Sequence, residues 1–320
     1  MAFLGVLPWS IRAEEPKAFL VVLRENSQTV VDMAAWRPDR NDAMKTIATV
    51  PKAGVVSWTG ARLAFGAEVP GRELRAVHVR DLLATDDGPP FEATGPLKAL
   101  ELIGWLGEAN RLVIRDREFA AGYMLRAVGA RLAKDSVIEP NEDITPEPGV
   151  YKYAATTRTG AVAFYRVRGN DRGQVVVWQA KRARVIAEDV AASELCWSPD
   201  AARLAVAELG KVTIIDVADP TKRTTHPLPP GSGGDPARIG SMAWRPDGAA
   251  IALLPDWPDP DHFPRNPRVW SLDPETGNCI VLVNLTEPAR SVRWLDGTGC
   301  DTSLDEACAL AGEAVVGRRP

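Results

Sequence analysis

Histidine is scarce in this 320-residue chain: His78, His226 and His262 are the only three, far apart along the sequence. A His-rich zinc site needs imidazoles that converge, and histidine acid–base chemistry needs one held beside a nucleophile, so neither is expected here. The nucleophile elbow G-x-S-x-G of the α/β-hydrolases is missing too. Gly231-Ser232-Gly233-Gly234 looks superficially like it but lies in a Pro/Gly-rich connection, where no catalytic role is expected. Of the four cysteines, none forms a C-x-x-C pair of the metal-binding kind. Cys196 and Cys279 fall in apolar runs, where a buried thiol behaves as a small hydrophobe. Cys300 and Cys308 are near enough in sequence to be bridged in an oxidising compartment, or left free. No apolar run reaches the roughly 20 residues a membrane-spanning helix needs. The charges, 38 basic against 42 acidic, leave a net of −4 and no electrostatic reason to expect nucleic acid or anionic lipid as partner.

The N-terminus is the one place with a targeting signature. Residues 3–11 form a short apolar stretch, and Ala13 before Glu14-Glu15 offers a small-residue cleavage site, but a basic start is missing and Pro8 and Trp9 interrupt the run. A shortened signal peptide and an ordinary strand or tail both remain open. Residues 1–16 are therefore set apart as signal or tail, 17–299 as a single domain, and 300–320 as a tail or short helix. Ser303 and Glu306 are spaced as a capping box, which predicts that helix.

What the chain does have is a repeat. Three versions are plain: Trp197-Ser198-Pro199-Asp200 leading to Leu204-Ala205-Val206, Trp244-Arg245-Pro246-Asp247-Gly248 leading to Ile251-Ala252-Leu253, and Trp294-Leu295-Asp296-Gly297. Degenerate versions follow Trp58 and Trp105. The spacing is 47 residues from Trp58 to Trp105, 47 from Trp197 to Trp244 and 50 from Trp244 to Trp294, the period of a four-stranded propeller blade. Trp105 and Trp197 are 92 residues apart, two periods, and a hidden copy stands between them at Val150-Tyr151-Lys152-Tyr153-Ala154 with Ala155 in the Trp position. Pro presets φ for a tight turn, Asp caps neighbouring amides, and Gly accepts positive φ. Each Trp is expected to bury its ring against the next blade, with its N–H seeking one acceptor.

Short apolar runs at 203–207, 211–216, 223–227, 250–254, 268–272 and 279–285 read as strands. The last copy has only its first strand, and the N-terminus supplies three, at 19–24, 29–34 and 44–50. Joined, they make one blade and remove two open sheet edges. The expected fold is all-β: a six-bladed β-propeller with four antiparallel strands per blade. Trp36-Arg37-Pro38-Asp39 mimics the motif after the second N-terminal strand and is expected in a turn. Trp178 and Trp270 are expected in the core.

The W-S-P-D-x-x-x-L-A-V string resembles the TolB-like, or WD40-like PD40, β-propeller repeat. The resemblance extends over nearly the whole chain after about residue 17, with the copies at Trp197 and Trp244 as the close matches. That family includes periplasmic partners of envelope complexes, sensor domains attached to kinases, and propellers that gate peptidases. The resemblance implies a binding surface and does not choose among these roles; no cofactor is expected.

The largest departure from the repeat is the proline-rich connection in the Trp244 blade. Its Trp257, Asp259, Asp261, His262, Phe263 and Arg265 include residue types enriched at interface hot spots, and make it the candidate partner-binding element. The bland alternative is a stiff surface loop. The expected function is a non-enzymatic monomeric scaffold that binds a protein or peptide across one face or at the channel mouth, periplasmic or exported, with a cytoplasmic location as alternative. A lactonase- or esterase-like metal-dependent hydrolase is the rival. It needs polar ligands on the first strand of several blades, and those strands read as mostly apolar. A stand-alone sensor domain is a third reading.

Overall fold

A computed structural model describes residues 18–25, 30–36, 45–51, 55–56, 62–68, 75–81, 91–92, 101–107, 111–119, 122–129, 142–145, 149–169, 172–231, 234–256, 268–285 and 289–296. The Trp257 loop, the N-terminal candidate signal and the segment with Ser303, Cys300 and Cys308 lie outside the described residues, as does Trp58.

The described chain is all-β, with no helix among the described residues. It begins with β1 (Ala18–Glu25), β2 (Val30–Trp36) and β3 (Lys45–Pro51). The next four strands are β4 (Val55–Val56), β5 (Arg62–Glu68), β6 (Arg75–Asp81) and β7 (Phe91–Glu92). Then come β8 (Glu101–Leu106), β9 (Arg111–Phe119), β10 (Gly122–Gly129) and β11 (Glu142–Asp143). The hidden repeat gives β12 (Tyr151–Thr156), β13 (Val162–Gly169), β14 (Arg172–Gln179) and β15 (Arg182–Val190). The Trp197 copy gives β16 (Glu194–Trp197), β17 (Arg203–Glu208), β18 (Lys211–Asp216) and β19 (Arg223–Pro227). The Trp244 copy gives β20 (Ile239–Trp244), β21 (Ile251–Pro255), β22 (Arg268–Leu272) and β23 (Cys279–Asn284), and β24 (Ala289–Asp296) ends the described chain.

These strands pair into four-stranded antiparallel meanders, and β24 joins β1, β2 and β3 in one sheet. Leu20 lies opposite Trp294 and Val22 opposite Val292 in that pairing. The first strands β8, β12, β16, β20 and β24 stand side by side in order, with β4 beside β8, so the sheets fan around a common centre in a propeller-like ring.

Period-two alternation explains why the strands are apolar throughout, since both faces of each sheet are covered. In β17, Leu204 and Val206 face the sheet of β12–β15, while Ala205 and Ala207 face the sheet of β20–β23. The tryptophans pack backward along the chain, not forward as expected: Trp197 shares a buried cluster with Ala161 and Ala163 of the preceding sheet, Trp244 with Ala205 and Ala207, and Trp294 with Ala252. Small alanines thus stand in the same buried clusters as the following sheet's indole. Four successive inter-sheet faces carry such apolar clusters. Trp178 and Trp270 are buried, as their place in apolar runs implies.

The motif turns form as their chemistry dictates. Asp200 Oδ1 accepts from the Ser198 hydroxyl at 2.6 Å and the Ala202 amide at 3.0 Å, and Ser198 Oγ accepts from the Arg203 amide at 2.8 Å. The Ser198 hydroxyl and the Ala202 amide hold the Asp200 carboxyl below the usual carboxylate range. Gly248 adopts φ +76° in the Trp244 turn, whereas the same place in the Trp197 turn is Ala201 at +57°. Trp36 departs from its expected turn: it is the last residue of β2, opposite Leu20.

His226 lies on the edge strand of its sheet. It is buried at the end of β19, and its Nε2 lies 2.9 Å from the Pro274 carbonyl oxygen in the β22–β23 turn of the next sheet. Arg203 reaches the same turn, pairing with Glu275 while its guanidinium lies over the Trp244 ring at 5.1 Å. Both links tie the β16–β19 sheet to the β22–β23 turn of the next one.

Candidate functional site at the channel mouth

In an antiparallel meander, the turns between first and second strands and between third and fourth emerge at one end. The links between second and third strands, and from each sheet to the next, emerge at the other. The W-x-P-D turns hold the first end. The long connection from β21 to β22 therefore leaves from the second end, where the first strands begin.

Its root is fixed there. The Asp256 amide donates to the Arg238 carbonyl at 2.8 Å, and the Arg238 guanidinium lies 3.4 Å from the Asp256 carboxylate. A Cβ at Gly240 would stand 3.0 Å from Asp256 Cβ and 3.2 Å from its Cα, so any larger residue there would push these two closely packed segments apart by a few tenths of an ångström. From this root Arg238 extends past the β16–β19 sheet to the Tyr153 hydroxyl, 3.4 Å away on β12. Tyr153 stacks on Tyr165 with centroids 6.1 Å apart, and the Tyr165 hydroxyl donates to the Val190 carbonyl at 2.9 Å. An aromatic pair, an arginine and an aspartate thus meet at this rim from different sheets.

Deeper toward the centre the first strands are less apolar than their composition implies. Glu194 of β16 accepts from its neighbour's amide, Leu195 N, at 3.0 Å, and burial pushes its carboxyl up to about 7. Arg293 of β24 lies within electrostatic reach of Glu194 and of Cys196, and burial draws its guanidinium down from the usual arginine range. Cys196 accepts from the Trp244 amide at 3.1 Å, and its thiol is pushed up to about 12 by burial, so it is a packing atom and not a nucleophile. Ser241 of β20 accepts from the Val292 amide at 3.1 Å.

None of the six loop residues singled out from sequence, Trp257, Asp259, Asp261, His262, Phe263 and Arg265, is among the described residues; the structure describes only the connection's two ends. Sequence reasoning missed Arg238, Tyr153, Glu194 and Arg293. A charged residue inside an otherwise apolar first strand was the available signal for the last two. Among the described residues no group of three or more His, Cys, Asp or Glu is placed to hold a metal ion. A cleft of about 250 Å³ between β15 and the β17–β19 hairpins is polar, but its Arg172 pairs with Asp189 and its Lys211 with Glu208, as in a solvated groove. No helix of the described residues is long and apolar enough to cross a membrane.

These features define a β-propeller fold of the TolB-like type. The structure of TolB from Acinetobacter baumannii is similar with a TM-score of 0.59 at 13% identity, over 87% of this chain and 66% of that one. A TolB-type protein from Agrobacterium tumefaciens is similar with a TM-score of 0.56 at 13% identity, over 88% of this chain and 99% of that one. The periplasmic gluconolactonase PpgL of Pseudomonas aeruginosa is similar with a TM-score of 0.51 at 12% identity, over 85% of this chain and 83% of that one. At such identities the likeness is one of fold. No protein-family model and no curated protein matches the chain.

Proposed function

We propose that residues 17–299 form one six-bladed propeller, closed where β24 joins β1, and that it is a monomeric, exported, non-enzymatic scaffold. Its channel-mouth face takes a protein or peptide partner, with the Trp257 loop as the contact element. The observation that carries this reading is the anchoring of that loop's root: Asp256 is held by Arg238 and packed on Gly240, so a loop rich in hot-spot residue types starts from a fixed point beside the Tyr153–Tyr165 pair. A rigid root lowers the ordering cost of binding. The likeness to TolB structures and to a periplasmic protein supports a scaffold outside the cytoplasm.

The test is affinity purification of the full chain from its own host, in parallel with the Trp257→Ala/Phe263→Ala variant, with the N-terminus read from the same sample. A protein retained by the parent chain and lost with the variant is the expected result; partners indifferent to the variant would overturn it. A metal-dependent hydrolase of the lactonase kind is the second reading, favoured by the fold likeness to PpgL and by Glu194 near the centre. One tightly held divalent cation per chain would support it.

A further inference from the structure

Glu194 and Arg293 form an unusual pair. They stand on β16 and β24, which flank β20 on either side, and these three strands are locked together at the centre: Cys196 of β16 takes the Trp244 amide of β20, and Ser241 of β20 takes the Val292 amide of β24. The two charges feel one another across this array yet form no ion pair. Among the described residues the Glu194 carboxylate takes one hydrogen bond, from the adjacent Leu195 amide, and the Arg293 guanidinium has no acceptor. Both side chains are surrounded by protein yet keep part of their surface open, as groups lining a narrow internal passage do.

Two enclosed ionisable groups without a direct partner are costly, and such arrangements cluster where a ligand supplies the missing contacts. From these residues we infer that the central passage holds a binding site for a small carboxylate bearing an adjacent hydroxyl or amino group, with Arg293 on the carboxylate and Glu194 on the neighbouring donor. The guanidinium fork matches a carboxylate's two oxygens, which a lysine in its place would not. A phosphate fits poorly, because its greater negative charge would face Glu194 with a single arginine to balance it. A neutral polyol leaves the guanidinium uncompensated. Cys196, protonated and packed on Trp244, contributes a polarisable wall. This site rests on the six sheets enclosing a passage, not on the rim binding a partner, so failure of partner capture leaves it standing.

The experiment is calorimetric titration of the full chain with glycolate, glycine and acetate. Saturable binding of glycolate or glycine is expected, with acetate weaker by about tenfold because it lacks the donor facing Glu194. Arg293→Met abolishes binding of all three, and Arg293→Lys weakens it several-fold while keeping the charge. Glu194→Leu brings glycolate down to the affinity of acetate. Circular dichroism and unfolding midpoints confirm that each variant is folded; should Arg293→Met fail to fold, the lysine variant carries the reading. Absence of saturable binding by any probe, or binding undiminished in the folded Arg293 variants, overturns the site.

Discussion

The indole N–H of Trp197 donates a hydrogen bond to the carbonyl oxygen of Ala155, 3.1 Å away on the preceding sheet, and Ala155 is the residue standing in that sheet's own tryptophan position. The ring is buried among Ala161, Ala163 and Val177, so it joins the two sheets by apolar packing and by one directed bond. Trp197→Phe keeps most of the packing and leaves the Ala155 carbonyl without its donor, at a cost of about 1–3 kcal/mol. Trp197→Ala also opens a cavity and costs about 3–5 kcal/mol. Chemical denaturation of the two variants separates these contributions.

The alanines that receive the tryptophans have the opposite sensitivity. Ala205 is fully buried against Trp244. Ala205→Leu overfills that face and destabilises by about 1–3 kcal/mol, even though leucine is the more hydrophobic residue. An unfolding midpoint at or above that of the parent chain would contradict this packing.

Ala201 holds φ +57° in the turn where the Trp244 copy has Gly248. A left-handed backbone is costly for alanine and free for glycine, although glycine loses more entropy on folding. Ala201→Gly is expected to raise stability by roughly 0.5–1 kcal/mol, and Gly248→Ala to lower it by a similar amount. Thermal unfolding of both checks the pair.

Stability should also carry the signature of Glu194. Burial raises its folded-state pKa to about 7, against 4.5 for an ordinary glutamate. Between those values the folded chain keeps a proton that the unfolded chain has released, so stability falls as pH rises through that window and stays lower above it. Glu194→Gln removes this fall and leaves the variant more stable than the parent at pH 8 by roughly 2–3 kcal/mol. Denaturant titrations at pH 5 and pH 8 compare the two; equal pH dependence would show that Glu194 is not so enclosed.

The repeat was legible because its residues do several local jobs at once. Trp197, Pro199 and Asp200 each have a turn or packing role that sequence alone discloses, and the strands at 211–216, 223–227 and 268–272 coincide with β18, β19 and β22. Even the copy lacking tryptophan was readable, because period and turn chemistry persist around Ala155. What stayed hidden depends on which sheets become neighbours. The direction in which an indole packs is invisible along one strand, so the tryptophans were assigned to the wrong side. Trp36 has motif-like residues after it, yet pairing with β1 keeps it in the strand. His226 finds its partner in a backbone carbonyl 48 residues away, which no local pattern around it discloses. Glu194 and Arg293 come within electrostatic reach only because β16, β20 and β24 converge, and Arg238 reaches Tyr153 across 85 residues.

The central claim is that the chain closes its ring by lending β24 to the N-terminal sheet. Hydrogen–deuterium exchange of the intact chain tests it most directly, read on the peptides covering Ala18–Glu25 and Ala289–Asp296 against those covering Arg203–Glu208. Closure predicts slow exchange in both terminal strands, approaching that of the central strand and lost from β1 when the chain is ended at residue 288. Complete exchange of β1 and β24 within seconds, while β17 stays protected, would contradict it.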